Sequence, residues 1–512
     1  MKAVPLITAG QPFSVFANNR ALFYSFYCME IKQNKESKLI LDTAVCAAWS
    51  LFVLIVTGCR MSLMNPAATV ILVIGFAGLS YLILKSEKND KNGRIIAVVT
   101  ILAVAVRTFY VLYTGAEQRQ HDMGEFDTDL GLNYHAEYIE YLLENHRLMN
   151  EDIRLHWQFY HPPLQHIISA VFIAAYRKLA PGLADNWDAL QALSLFYSLV
   201  TLAIAKRFAG LWNLSSKGTL LAYLTIAFHS DLIVFAGSLN NDPLSVMFAV
   251  AALYLALIWY NDEKKSFLKL MGMSLCIGLG MMAKLSAGII AVPVAFIMLK
   301  AFFESKNKLR YVWQYTVFLI VCAPLGLWYQ IRSYVLWKVP LTYVAVPDIV
   351  LNPGLVIEEM PFWKRFFSFG EGVDYNIISE TLDSAVFDAD YYRDHTLLAV
   401  TGYLLLAVFT VLTITVLANF IVMWIKERSM MNLVMTFLLA AELISYVSLC
   451  FKMPYTCTMS FRYIAPTIIA GAYYSGMSAD KSPRLLSMVT GISVYGFAFI
   501  SLVFYSLVWL KG

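Results

Sequence analysis

Runs of about twenty mostly apolar residues recur from one end of this chain to the other, and each is long enough to cross a bilayer as a helix. They fall at about 39–58, 66–85, 95–115, 187–205, 219–237, 243–260, 270–283, 286–303, 311–334, 396–425, 430–451, 461–479 and 485–510, which predicts about thirteen crossings. With 59% hydrophobic and 14% charged residues in 512, against about a quarter charged in soluble domains, the chain is neither a soluble globular protein nor a disordered one. The expected fold is an all-α polytopic membrane bundle with two long extracytoplasmic loops. A net charge of +4 is too small to suggest nucleic acid. Seven cysteines without a Cys-x-x-Cys pair argue against a disulfide framework or a zinc site of the usual spacing. The N-terminus shows no removable signal peptide; Phe13 to Tyr27 reads as an interfacial segment.

Basic residues give the orientation, because short cytoplasmic loops collect Lys and Arg. With the N-terminus inside, Lys85, Lys88, Lys91 and Arg94 share one face with Lys206 and Arg207, Lys264 and Lys265, Lys306 and Lys308, Lys426 and Arg428, and Lys481 and Arg484. Counting 163–178 as a crossing would invert every later loop, so that stretch is expected to lie along the outer surface. Two outer loops are long, about 116–186 and 335–395, and connections of this size are usually functional or disordered. In the first, Asn133 could cap an amphipathic helix with Tyr134, Tyr138, Tyr141 and Leu142 on one face and Glu137, Glu140 and Glu144 on the other. The second carries Trp337, Trp363, Phe366, Phe367 and Phe369, an aromatic content suited to the membrane interface.

Chemistry-bearing residues gather on the outer side. Just past the third span come His121, Asp122, Glu125, Asp127 and Asp129, an acidic run that could supply a general base, ligate a hard cation, or simply be solvated. Tyr160-His161-Pro162-Pro163-Leu164 follows, stiffened by its prolines. Asp242, in Asn240-Asn241-Asp242-Pro243, either caps a helix or faces the same surface as Asp122. Lys284, alone between two apolar runs, and Arg462, in Phe461-Arg462-Tyr463, read either as snorkelling anchors or as donors to a lipid-linked phosphate. Asp42, Arg107, His229, Asp231 and Glu442 lie in or near spans, where charge is costly and usually paired. No phosphate-binding P-loop and no His-Glu-x-x-His pair is present.

The order of these motifs resembles the GT-C superfamily, and more narrowly its family-39-type membrane glycosyltransferases, which include protein O-mannosyltransferases and aminoarabinose transferases. The resemblance runs over about residues 95–480, leaving 1–94, with two additional helices, as an N-terminal addition to a core of 95–334, an outer loop of 335–395 and C-terminal helices of 396–512. It implies transfer of a sugar from a polyprenyl-phosphate donor to a glycan, lipid or protein acceptor, with inversion. It also implies Asp122 as the base, in preference to Asp127, with Asp242 orienting the acceptor. Arg462 and Lys284 would hold the phosphate. His121, His135, Tyr160, His161, Asn241 and Tyr463 would line the substrate sites, and a divalent cation (Mg or Mn) at Asp122 and Asp242 would be the one cofactor. A bacterial plasma membrane with an outward-facing site is the expected setting. The alternative from another class is a secondary transporter or lipid flippase, which would place its polar groups at mid-membrane between repeated, broken helices.

Overall fold

The computed structural model describes residues 39–87, 91–124, 135–156, 158–183, 186–346, 364–367, 376–387 and 390–511. Phe13 to Tyr27, Asp127, Asn133, Tyr134, Trp363 and Phe369 lie outside the described residues. In chain order the helices are α1 (Leu39–Thr57), α2 (Pro66–Ser86), α3 (Lys91–Tyr113), α4 (His135–Asn145), α5 (Leu164–Leu179), α6 (Gln191–Ala209), α7 (Ser216–Ala227), α8 (Ser230–Val234), α9 (Asp242–Tyr260), α10 (Phe267–Ala283), α11 (Ala291–Glu304), α12 (Lys308–Trp337), α13 (Lys364–Phe367), α14 (Ile377–Phe387), α15 (Thr396–Lys426), α16 (Met430–Lys452), α17 (Thr467–Lys481) and α18 (Arg484–Ser506). All regular structure among the described residues is helical, which makes the chain an all-α polytopic membrane protein.

Among the described residues ten helices are long and apolar enough to cross a membrane, three fewer than the sequence predicts. The other three predicted crossings are shorter helices packed into the bundle: the α7–α8 pair, α10 and α17. Each has a local cause. α7 stops before His229, whose backbone is extended. α10 stops at Lys284, also extended, and a 3-10 segment Leu285–Ile290 leads into α11. α17 begins only at Thr467, after the 3-10 turn Phe461–Ile464 and Pro466. Non-helical backbone at membrane depth survives only where protein or a polar cavity surrounds it. The first break has its answer nearby: buried Arg107 donates through one Nη to the carbonyls of Ala103 and Ala227, at 3.0 and 2.8 Å, and through Nε to Ser198 Oγ at 3.0 Å.

Side-chain contacts sort the helix ends into two groups. At one end Arg207 pairs with Asp42, Lys206 with Glu87 at 3.1 Å, Lys481 with Glu427 at 3.6 Å, and Asp480 accepts from Ser215 N at 2.9 Å. This is the end rich in Lys and Arg that the loop counting predicts. At the other end Arg60 reaches Asp188 at 3.1 Å and Glu117 at 3.3 Å. The segment expected to lie along the outer surface forms α5, packed on α4 and on the turn before α6. α4 is amphipathic as read from the sequence: His135, Ala136, Tyr138, Ile139 and Leu142 are buried while Glu140 and Glu144 are exposed. Residues of the long second loop lean on the same end. Tyr343 packs its ring edge against Tyr160, Ser384 accepts a hydrogen bond from Phe461 N at 3.0 Å, and Thr381 shares one with Tyr446 at 2.6 Å.

Candidate active site

The site is built where helices stop. After α3 the chain turns at Gly115, and His121 locks that turn. Its Nδ1 lies 2.6 Å from Gly115 O and its Nε2 3.1 Å from Tyr110 Oη, while its carbonyl accepts from Leu239 N at 2.9 Å. His121 is thereby buried and ties the loop after α3 to the loop before α9. Gly237 makes this possible, since a Cβ there would sit 2.6 Å from His121 Nε2. Burial holds the His121 pKa down at about 4, so the ring is neutral at physiological pH.

Asp122, next in the chain, has φ +57°, a left-handed conformation that Asp tolerates better than most residues. The turn aims its carboxylate at Arg462, whose Nη1 lies 2.8 Å from Oδ2. His135 Nε2 is 3.8 Å from the same oxygen, and Asn240 Nδ2 donates to it at 3.5 Å. Asp242 opens α9 beside Pro243 and is buried. Its backbone N–H donates to Asn240 Oδ1 at 3.0 Å, and its carboxylate pairs with Lys284 Nζ. Asn240 therefore bridges the two acids. Lys284 Nζ also lies 4.8 Å above the Tyr463 ring, and the Arg462 guanidinium 5.3 Å from it, a cation–π arrangement.

The electrostatics follow from these neighbours. Burial alone would raise the Asp122 pKa, but Arg462, His135 and Lys284 outweigh it and hold the carboxyl below its ordinary value. Burial lowers the Lys284 pKa, with Asp242 partly restoring it and Arg462 opposing. His135, lowered to about 4 chiefly by burial, is neutral near pH 7. Asp122 and Arg462 keep 20% and 22% of their side-chain surface open, so the pair can be reached from outside the protein.

Nearly all the residues expected at the site converge. Asp122, Asp242, Lys284, Arg462, Tyr463 and His135 form one connected cluster, with Tyr160 and His161 on its border: His161 stacks on His135 with centroids 5.7 Å apart, and the rings of Tyr160 and His161 lie 4.0 Å apart. Asn241 turns the other way, donating to Ala283 O at 3.0 Å where α10 breaks. Asp127 is outside the described residues. Two participants escape a reading of the sequence. Asn240 is one of two adjacent asparagines, and only the turn before α9 decides which faces Asp122. His166 hydrogen-bonds to His135 from the first turn of α5, where nothing distinguishes it from a packing residue. As for a divalent cation, among the described residues no three His, Cys, Asp or Glu side chains come together to hold one, and both acids of the cluster already face a cationic side chain. These donors do not fit a metal.

Cluster and bundle together define a polytopic membrane protein with a charged, partly open site at the end opposite its basic loops. Residues 161–328, about a third of the chain, match the family model described as dolichyl-phosphate-mannose-protein mannosyltransferase, a segment that starts at His161 and includes His166, Asp242 and Lys284. Over that third the chain is similar to the membrane mannosyltransferases that the model describes. Among solved structures it is similar to ArnT from Cupriavidus metallidurans in the apo state, at 13% identity over 81% of this chain and 76% of that one, with a TM-score of 0.44. No curated protein matches the sequence.

Proposed function

We propose that this protein transfers a sugar from a polyprenyl-phosphate donor to an acceptor at the extracytoplasmic face of the membrane, inverting the anomeric carbon. The observation that carries the reading is the pair of carboxylate–cation contacts, Asp122 with Arg462 and Asp242 with Lys284, joined through Asn240 at one end of the bundle. The family match, whose description names a dolichyl-phosphate mannose donor and a protein acceptor, supports the same chemistry.

The donor phosphate takes the place of the carboxylates on Arg462 and Lys284. Arg462 offers a planar fork of donors and Lys284 a compact charge, and both are held in a setting that excludes much of the water. Released from Arg462, Asp122 accepts the proton of the acceptor group as that group's lone pair attacks the anomeric carbon. The carbon–oxygen bond to phosphate breaks, and its electron pair leaves with the polyprenyl phosphate, where the two cations stabilise it. Asp242 orients the acceptor. Tyr160, His161 and Tyr463 supply the walls against which sugar and acceptor rest, and His121 keeps the Asp122 turn in shape. Stabilisation of the leaving phosphate falls to Arg462 and Lys284, with no metal assigned to Asp122 and Asp242. A bacterial plasma membrane is the setting that fits the loop charges best.

Transfer from a synthetic polyprenyl-phosphate sugar, measured with the protein in nanodiscs, tests this reading. Asp122→Asn should lose about a hundred- to ten-thousand-fold in kcat, the usual worth of a general base, and EDTA should leave the wild-type rate unchanged. Full activity in Asp122→Asn removes it as the base. Counterflow of a solute in proteoliposomes, with no glycosylated product, would make the protein a transporter.

A further inference from the structure

We propose that His166 is a positioning residue for the reaction, donating from Nε2 to His135 Nδ1 and so fixing His135 in the tautomer whose Nε2–H points at the Asp122 carboxylate. The inference rests on Asp122 being the base. Its own support is a chain of distances: His166 Nε2 to His135 Nδ1 is 2.8 Å, and His135 Nε2 to Asp122 Oδ2 is 3.8 Å. The planes of the two imidazoles differ by 14° with centroids 5.1 Å apart, so the short contact runs close to the ring planes, where both N–H and lone pair lie. Tyr138 stacks on His166 at 4.2 Å and 22°, and Tyr138 in turn stacks on Phe159 at 4.2 Å and donates to Tyr329 Oη at 3.3 Å. The ring cannot drift.

Two tautomer assignments are open to a pair of neutral imidazoles sharing one hydrogen bond. In the first, His135 Nδ1–H donates to His166. His135 then presents a lone pair to a carboxylate, and His166 buries an Nδ1–H that has no partner among the described residues. Both features are unfavourable, since a buried donor left unmade costs its full desolvation. In the second, His166 Nε2–H donates to His135, His135 Nε2–H faces the carboxylate, and only a lone pair on His166 Nδ1 goes unused. The second arrangement wins on both counts. Both rings are buried, and burial lowers the pKa of each, His166 well below its ordinary value, which keeps them neutral and the choice between tautomers real.

The consequence is directional. A carboxylate with one cationic partner can swing about it, and a second N–H fixed in space with its nitrogen 3.8 Å from Oδ2 limits that swing by charge–dipole attraction. Once the donor phosphate has taken Arg462, the His135 N–H and Asn240 are the groups left to orient Asp122.

Reach separates the two amide replacements. Gln places its amide N–H near the position of Nε2, whereas Asn places it near Nδ1. In nanodisc assays of the full chain, His166→Gln should restore most of the wild-type kcat. His166→Asn should lower kcat about ten- to a hundredfold, the usual effect of disturbing an outer-shell partner, with the KM for the polyprenyl-phosphate sugar within about twofold of wild type. In the Asp122→Asn background His166→Asn should reduce the residual rate no further. Equal rates for the Gln and Asn variants overturn the inference, as does a loss in His166→Asn that is expressed in KM alone or that persists undiminished in the Asp122→Asn background. If one or both amides prevent folding, the comparison moves to Asp122→Asn against His135→Gln, whose amide keeps a donor near Nε2. A His135→Gln enzyme as impaired as His135→Phe then overturns it. A fully active Asp122→Asn enzyme instead defeats the assignment of the base, and that outcome is read independently of the His166 variants.

Discussion

Asp122 is held ionised by its neighbours rather than by water, and this makes its titration informative. Its pKa lies below that of an ordinary aspartate because Arg462, His135 and Lys284 together outweigh burial. A base works in its ionised form, so kcat/KM should hold as pH falls through the range in which an ordinary carboxylate titrates. Removing a favourable charge raises a carboxyl pKa, so in Arg462→Ala the acid limb should move to higher pH; a limb that stays in place would show that Arg462 does not tune the base. The same pair yields a second expectation. Asp122→Asn frees Arg462 of its carboxylate, so sugar-free polyprenyl phosphate should bind about tenfold tighter, roughly 1.4 kcal/mol, while transfer is lost. Equal or weaker binding by tryptophan fluorescence would argue against exchange of partners at Arg462. At this scale the charged residues could be singled out in the sequence, because a lone Lys or Arg between apolar runs must either snorkel or find a partner, and the structure gives Lys284 and Arg462 partners. His166 could not, since a histidine on a helix announces nothing until its neighbour is known.

The elements tell a different story about legibility. Hydropathy summed over twenty residues located every helix long enough to cross the membrane, and α7, α10 and α17 with them, but it could not see where the backbone leaves the helix within an apolar run. The breaks at His229 and Lys284 and before Thr467 depend on contacts made by distant residues, such as Arg107 reaching the freed carbonyl of Ala227. Turn composition gave a partial warning through Pro243 and Pro466. The loop from Ser238 to Asp242 is buried throughout, and Gly237 just before it leaves no room for a side chain, since a Cβ would lie 2.6 Å from His121 Nε2. Gly237→Ala drives a methyl into the His121 ring, which is itself clamped by Gly115 and Tyr110. Overpacking of this kind costs about 1–3 kcal/mol. The variant should melt several degrees lower and lose transfer activity; unchanged activity would show that the His121 clamp is not needed to shape the Asp122 turn.

For the whole molecule, the division of the helix ends into two groups was the most readable property. Loop charge alone divided the chain into two ends, and pairs such as Lys206 with Glu87 and Lys481 with Glu427 lie at the end so assigned, apart from the Asp122 cluster. What the sequence did not contain was depth, because the distance between charged groups on separate helices is set by packing. Cys457 offers a direct reading of the assignment. It is exposed, and it is close enough to Arg462 and Asp122 for both to act on its thiol. A variant retaining only Cys457 should react with a membrane-impermeant maleimide added outside intact cells, and polyprenyl phosphate should slow the labelling. Reaction only after permeabilisation would invert the proposed orientation.

Two acids and two bases meeting in pairs leave the resting mouth near electroneutrality. Such a mouth casts little field into the surrounding medium, so it gathers lipid by lateral encounter and not by long-range pull, and the rate of capture should depend only weakly on ionic strength. Arrival of an anionic headgroup then tips the local balance negative. On the proposed mechanism, that surplus makes the carboxylates hungrier for a proton at the moment when the acceptor has one to give, so loading the donor would itself be the step that arms the site.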